Sequence, residues 1–437
     1  MTRAGDSSLP IVLVVLDGLG DRPHAELDGR TPAEAANTPN LDALARLGRC
    51  GSLHPLRPGL APSSHQAHFA LFGYAPEDFP GRGLLEAIGE GLPPDAGEVV
   101  LRANLARVSE RNGVLWIDER PDPRHGAADL DGVSLDARID GVAVRFVYTG
   151  GLQGLLYLRP LDGRPISHFV SDADPLRANV PVLKVMPLEE APDPDAAART
   201  AAVLNAWMRF ARRILAGRDL DFMLVKWAGS QPSITPFSRR FGLKGVSLGA
   251  GVLYAGLAAA VGLDHVEIPM RADPHEDVAE RVEATLGLLA EGYDFVHLHT
   301  KHPDHAGHTK DPRHKAEVIA ACDRALAPLV HVAERFEAVV VVCADHQTPS
   351  AGPLYHGGGA VPLVIAGGVI GADEVAAFGE EPCAHGSLGW VVGTDVMPIA
   401  LDAADRSAFL ADRVTPHLAL GRPRAEDLVP LEPADEG

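Results

Sequence analysis

Residues 9–16, LPIVLVVL, form a run that is almost wholly apolar and rich in β-branched side chains, and it stops at Asp17-Gly18. A continuous apolar run of this length predicts a strand buried on both faces, as in a parallel sheet. The segment TPNLDALARLG then predicts a helix: Thr38 can cap it, Pro39 suits its first turn and Gly48 ends it. Strands of the first kind return late, at residues 294–299 (DFVHLH), 338–345 (AVVVVCAD) and 361–367 (VPLVIAG), with helices expected over 277–290 and 314–334. Buried strands alternating with helices predict an α/β core whose sheet is mainly parallel and flanked by helices.

The middle of the chain has another texture. Across residues 99–217 short strand patterns (VLWID, VAVRFVY, LLYLRP) alternate with Gly, Pro and Asp turns. A Pro/Asp/Glu stretch at 187–195 then precedes a helix expected over 196–215. This reads as an α+β cap domain, 99–217, inserted into a core made of 1–98 and 218–437, which resumes near DFMLVKWAG. The closing PLEPADEG reads as a frayed tail.

Composition narrows the class. With 437 residues, 46% hydrophobic and 22% charged, the chain is globular, and neither disordered nor collagen-like. A net charge of −20 repels phosphate backbones, which argues against nucleic acid as a partner. A small anion remains acceptable where local cations overcome that field. Four cysteines, Cys50, Cys322, Cys343 and Cys383, make no CxxC pair, and the beginning MTRAGDSSLP has no apolar signal region. No run approaches the ~18 apolar residues of a membrane span. The expectation is a cytoplasmic protein with no membrane partner; an oligomer is compatible with it.

The chemistry gathers at strand ends, where ligands sit in open α/β sheets. The first strand ends in Asp17. The strand at 294–299 runs into TKHPDHAGHTKDP, with Asp304 and His308 four residues apart; the strand at 338–345 ends in Asp345-His346; and His356 lies in the glycine-rich loop YHGGGA. An Asp that ends a strand is more often a turn former or cap, and a single Asp-x-x-x-His is a weak signal. Four strand ends delivering carboxylate and imidazole together point to metal. With no thiolate in the set, Mn²⁺ or Zn²⁺ suits it, and Mg²⁺ suits the histidine-rich part less well. A two-metal centre polarises a phosphoryl oxygen and lowers the pKa of a hydroxyl. A nucleophile is offered by PSSHQAHFALFGY, which holds Ser63, Ser64, His65 and His68; the plain alternative is a serine capping the helix that follows.

The strings VVLDGLGDRP, GRTPAEAANTPNLDALARLG, PSSHQAHFALFGYAPEDFPGRGLLEAIGEGL, HTKHPDHAGH, ADHQTP and GTDVMPIALD together resemble the archaeal-type, cofactor-independent (2,3-bisphosphoglycerate-independent) phosphoglycerate mutases of the alkaline phosphatase superfamily. The resemblance implies an alkaline phosphatase-like core with an inserted cap. It also implies two divalent ions and a serine nucleophile at Ser64 that takes the phosphoryl group as phosphoserine and returns it to the other hydroxyl of the bound glycerate. One ion would be held by Asp17, Ser64, Asp345 and His346, the other by Asp304, His308 and His356. Arg82, Arg102 and Lys301 fall in matching strings and Arg124 in a weaker one; all four are candidate contacts to a small phosphorylated acid.

The departures bear on the substrate. His65 stands where the family has an Asp, as a candidate general acid or base or a cation near the phosphate. Leu152 and Gln153 lie where the family carries a His-Arg pair, and Lys226, Trp227, Ala228 and Gly229 replace its Arg-Gly-Ala-Gly. Lysine does not reproduce a bidentate guanidinium clamp. The leading expectation is interconversion of 3-phosphoglycerate and 2-phosphoglycerate. The alternative is a phosphohydrolase or phosphomutase of the same superfamily for another phosphorylated or phosphonate metabolite. A non-catalytic anion-binding relative is the third, disfavoured because all seven expected ligands are present.

Overall fold

The computed structural model describes residues 8–122, 126–130, 132–231 and 234–407. Arg124 and the closing PLEPADEG lie outside the described residues. The chain divides into two compact units, one running up to Phe79 and resuming at Ile234, the other spanning residues 80–233.

The first unit is built on an eight-stranded sheet. At its centre strand Ile11–Leu16, buried at every position, runs parallel between Phe295–Thr300 and Val339–Cys343. Gly245–Gly249 and Asp264–Glu267 extend the parallel side. Val361–Ala366 is antiparallel to both Val339–Cys343 and Gly48–His54, and Gly389–Val392 closes that edge parallel to Gly48–His54. The continuous apolar runs are explained by this arrangement, because strands covered by helices on both faces have no polar side. Register matters for the site. Leu16 pairs with Thr300 and Val15 with Cys343, so the three strands end level and Asp17 emerges beside Lys301 and Asp345.

The single helix expected over 314–334 is two, Pro312–Ala325 and Ala327–Glu334. Pro328 has no N–H to give to the preceding turn, so it can only begin a new helix. The first of these carries Lys315, which has no exposed surface. Its ammonium donates to Gly20 O (2.9 Å), Asp21 Oδ2 (3.0 Å) and Thr348 O (2.8 Å), tying together the loops that leave two neighbouring strands.

The second unit holds a seven-stranded antiparallel sheet. Its long strand Val99–Arg111 pairs with Val114–Glu119, Gln153–Pro160 and Phe222–Ser230. Helix Pro194–Leu215 packs its buried Trp207, Leu204 and Met208 into the main core of this unit, while Leu84 and Ala87 of helix Arg82–Gly89 meet Val100, Leu155 and Tyr157. DFMLVKWAG was expected to resume the α/β core, but its strand hydrogen-bonds to Val99–Arg111 and belongs here. So does helix Arg82–Gly89, which lies outside the expected 99–217 segment. Both read as core because an apolar run marks burial without naming the sheet that buries it. Lys226 in this strand is buried against Asp174 at 2.7 Å, and Arg120 grips the same carboxylate through two nitrogens.

Two outcomes are expected. Lys315→Ala leaves the buried Asp21 carboxylate without its cation, and should lower unfolding free energy by about 3–5 kcal/mol in a urea titration. Burial pulls the Lys226 ammonium down to about 8 against the attraction of Asp174. Above that pH the unfolded chain binds the proton that the folded chain has released, so stability contributed by this group rises with pH towards 10.5. Wild type should therefore gain on Lys226→Met between pH 8 and 10 in parallel urea titrations; a gap that narrows as pH rises would contradict the assignment.

Candidate metal centre

Five segments of the first unit bring polar side chains to one end of its sheet. Asp17 follows Ile11–Leu16, Asp345 and His346 follow Val339–Cys343, and His356 precedes Val361–Ala366. Helix His302–His308 follows its strand after a single residue, and the four-residue spacing of Asp304 and His308 sets both on one face. Ser64 is the first residue of helix Ser64–Leu71.

The ligand-type atoms fall into two adjoining groups, Asp17 with Asp345 and His346, and Asp304 with His308 and His356. Within each, candidate donor atoms lie no more than 4.8 Å apart. His346 Nε2 is 3.5 Å from Asp17 Oδ1, 3.3 Å from Asp345 Oδ2 and 3.1 Å from Ser64 Oγ. In the second group, Asp304 Oδ1 lies 3.2 Å from His308 Nε2 and 3.7 Å from His356 Nε2. The imidazoles of His346 and His356 stack at 3.6 Å, which joins the two groups.

Electrostatics distinguishes the carboxylates. Burial and then the neighbouring Asp17 push Asp345 up to about 7. Burial would also raise Asp17, but the Lys301 ammonium and the His299 hydrogen bond outweigh it and hold that carboxyl well below the ordinary range. Burial lowers His346 to about 3, so its imidazole is neutral and keeps a lone pair. Thr348 selects the tautomer. Its hydroxyl donates to Asp304 Oδ1 at 2.7 Å, leaving the oxygen to accept from His346 Nδ1 at 3.2 Å and the Nε2 lone pair to face Ser64, Asp17 and Asp345.

Three buried atoms at this place, Asp17 Oδ1, Asp345 Oδ2 and His308 Nε2, have no hydrogen-bond partner among the described residues. Orphaned buried polar atoms need a physical reason. A divalent cation supplies it for a mixed oxygen and nitrogen set, so these residues fit two ions.

Asp17, Ser64, Asp304, His308, Asp345, His346 and His356 come together, as does Lys301, whose Nζ is 3.1 Å from Asp17 Oδ2 and 3.7 Å from Asp304 Oδ2. The capping alternative does not apply to Ser64: Ser63 holds the cap position, and Ser64 Oγ bonds to His346. His65 directs Nε2 to Ser63 Oγ at 2.9 Å, and its ring rests near Phe79. His68 is fully buried, with Nδ1 donating to Ser64 O at 2.7 Å. Arg82 and Arg102 belong to the second unit, where both bond to Glu86, Arg102 also reaches Asn104, and Arg82 lies 3.7 Å over the Trp227 ring.

Sequence reasoning passed over Thr348, Tyr254, His299 and Tyr355. The last is 70% exposed and stacks on His308 at 4.2 Å and His356 at 4.6 Å. The alternation His297-x-His299 in a strand was a usable signal, since residues two apart share a face. Tyr254 carries none, because only the fold brings its helix to Asp17.

The Metalloenzyme superfamily model matches residues 9–403. A protein of Methanocaldococcus jannaschii called 2,3-bisphosphoglycerate-independent phosphoglycerate mutase 2 is 33% identical over 96% of this chain and 99% of its own. A 2,3-bisphosphoglycerate-independent phosphoglycerate mutase from Methanopyrus kandleri is 36% identical over 91% of this chain and 96% of its own. Among solved structures, a Pyrococcus horikoshii protein superposes with a TM-score of 0.72 at 28% identity, covering 92% of this chain and 99% of that one. The cofactor-independent phosphoglycerate mutase of Thermoplasma acidophilum superposes at 0.61 and 29%, covering 91% and 100%. An alkaline phosphatase-like core of mixed α/β build, two ligand groups at its strand ends and similarity along nearly the whole length agree: the chain belongs to the metalloenzyme superfamily and, within it, to the 2,3-bisphosphoglycerate-independent phosphoglycerate mutases.

Proposed function

We propose that this enzyme interconverts 3-phosphoglycerate and 2-phosphoglycerate, with Ser64 carrying the phosphoryl group between the two hydroxyls. The observation that carries the reading is Ser64 Oγ itself, at a helix N-terminus and 3.1 Å from the neutral His346 Nε2, within the first ligand group. In the first half-reaction a bond forms between Ser64 Oγ and phosphorus, the bond from phosphorus to the C3 oxygen breaks, and the hydroxyl proton of Ser64 ends on that oxygen. In the second, the C2 hydroxyl oxygen attacks the phosphoserine, the Oγ–P bond breaks, and the proton of the C2 hydroxyl goes to Ser64 Oγ. Charge spread over the phosphoryl oxygens is the main thing to be stabilised. Bound ions supply that positive charge as Lewis acids. The helix N-terminus under Ser64 and the Lys301 ammonium add to it from the chain's own groups.

The donor sets support Mn²⁺ or Zn²⁺ over Mg²⁺, with Asp17, Ser64, Asp345 and His346 for one ion and Asp304, His308 and His356 for the other. Arg82 and Arg102 are candidate anion contacts of the second unit, and His65, through Ser63, is a candidate for orienting the nucleophile's helix turn. All four cysteines are free of disulfides, which suits a reducing cytoplasm. Among the described residues no helix is long and apolar enough to cross a membrane.

One observation favours a second reading, another phosphorylated or phosphonate acid: Glu86 already engages both candidate contacts of the second unit, Arg82 and Arg102.

³¹P NMR of the Mn²⁺-supplied protein with 3-phosphoglycerate separates these readings. Appearance of 2-phosphoglycerate without inorganic phosphate is expected; free phosphate would mean a hydrolase, and an unchanged spectrum another substrate. Ser64→Ala should lower turnover by on the order of 10³-fold or more while the protein still takes up metal. Chelation should abolish activity and Mn²⁺ or Zn²⁺ restore it. Elemental analysis should find two ions per chain in wild type and fewer in His356→Ala; equal metal in the two would remove His356 from the set.

A further inference from the structure

The two oxygens of Asp17 are treated differently. Oδ2 accepts from the Tyr254 hydroxyl at 3.0 Å and from His299 Nε2 at 2.8 Å, with Lys301 Nζ 3.1 Å away. Oδ1 has no hydrogen-bond partner and points towards His346 Nε2, 3.5 Å off. A carboxylate pinned at one oxygen by several donors cannot turn about its own axis, so the direction of the other oxygen is fixed.

The donors are themselves held. Tyr254 lies in the first turn of helix Val252–Val261, entered through Gly251 at φ +92°, and is 3% exposed. Its ring lies tilted against His299 at 4.1 Å with planes 33° apart and meets the edge of His68 at 5.4 Å. His299 sits in the strand beside Asp17's own, paired with Val15, so the backbone ladder sets its reach. Tyr254 and His299 thus form one packed ring pair whose two polar atoms converge on a single oxygen. Lys301 also approaches Asp304 and serves both groups.

We propose that Tyr254 and His299 are positioning residues that clamp Asp17 Oδ2 so that Oδ1 is presented to the ion held with Asp345 and His346. This rests on the two-ion reading of the centre. The clamp acts on one ion only, because neither residue bonds to Asp304, His308 or His356.

The test is calorimetric titration of Mn²⁺ into metal-free protein. Wild type should take up two ions. Tyr254→Phe keeps the ring and loses only the hydroxyl; it should weaken one binding step by about tenfold or more, with the other within about twofold and the metal-free protein still folded. His299→Gln, which retains a donor, should hold affinity closer to wild type than His299→Leu, and this pair decides the matter if Tyr254→Phe does not fold. The proposal is overturned if Tyr254→Phe binds both ions as wild type does, if both steps weaken alike, or if Gln and Leu at position 299 are equivalent. Failure of wild type to bind any ion would instead remove the two-ion reading, and the clamp with it.

Discussion

Everything at the site depends on negative charge withdrawn from water at the ends of three strands. Asp17 and Asp345 have no exposed surface and Asp304 has 5%. Burying ionised carboxylates without partners costs more than a small domain can offset, so each must be neutralised, paired or placed on a cation. The protein does part of this itself. Gly18 N–H donates to Asp345 Oδ1, Thr348 to Asp304, and His299 and Tyr254 to Asp17, which the Lys301 ammonium also pairs. What they leave is negative: His346 is neutral, Asp345 remains near 7, and an oxygen on each of Asp17 and Asp345 has no partner. A centre of this charge binds cations and, through that binding, gains stability for the loops that carry it.

Close approach of those loops is the second requirement. Gly18 has φ +64°, and a Cβ there would fall 2.4 Å from Thr348 Oγ1 and 2.7 Å from Asp304 Cα. At Gly307 a Cβ would meet Thr348 O at 2.5 Å. The glycines of the LDG and HAGH strings therefore let two loops and helix His302–His308 touch, and Lys315 ties the two loops together through carbonyls and Asp21. Ligand placement is in this way a property of backbone packing, which holds side chains more firmly than loop conformation alone could.

Much of this was legible in the residues. The central strands announce themselves as unbroken β-branched runs, and their polar ends carry the ligands because strands that end level place terminal residues side by side. What was not legible has a physical reason in each case. The strand Phe222–Ser230 has the apolar character of the core, yet it pairs in the other unit, since hydrophobicity says nothing of partner choice. Pro328 interrupts an otherwise helical pattern, and the apolar periodicity runs on past it although the backbone ladder cannot. Tyr254 and Lys315 act through tertiary proximity across 237 and 295 residues of chain, a distance no local pattern spans.

The arginines of the second unit show why counting cations in a motif misjudges a binding surface. Glu86, 3% exposed, bonds to both Arg82 and Arg102, so three charges in that cluster sum to one positive charge instead of two. In exchange, both guanidinium groups are fixed, Arg82 additionally by the Trp227 face. Trp227 itself sits at φ +60°, an uncommon place for a bulky residue, and its N–H is held by Asp172 at 2.6 Å. Within a chain of net charge −20, a fixed cluster of this kind would act on an anion through the direction of its remaining donors more than through long-range field. That direction is set by the geometry Glu86 imposes, which a residue count cannot reveal.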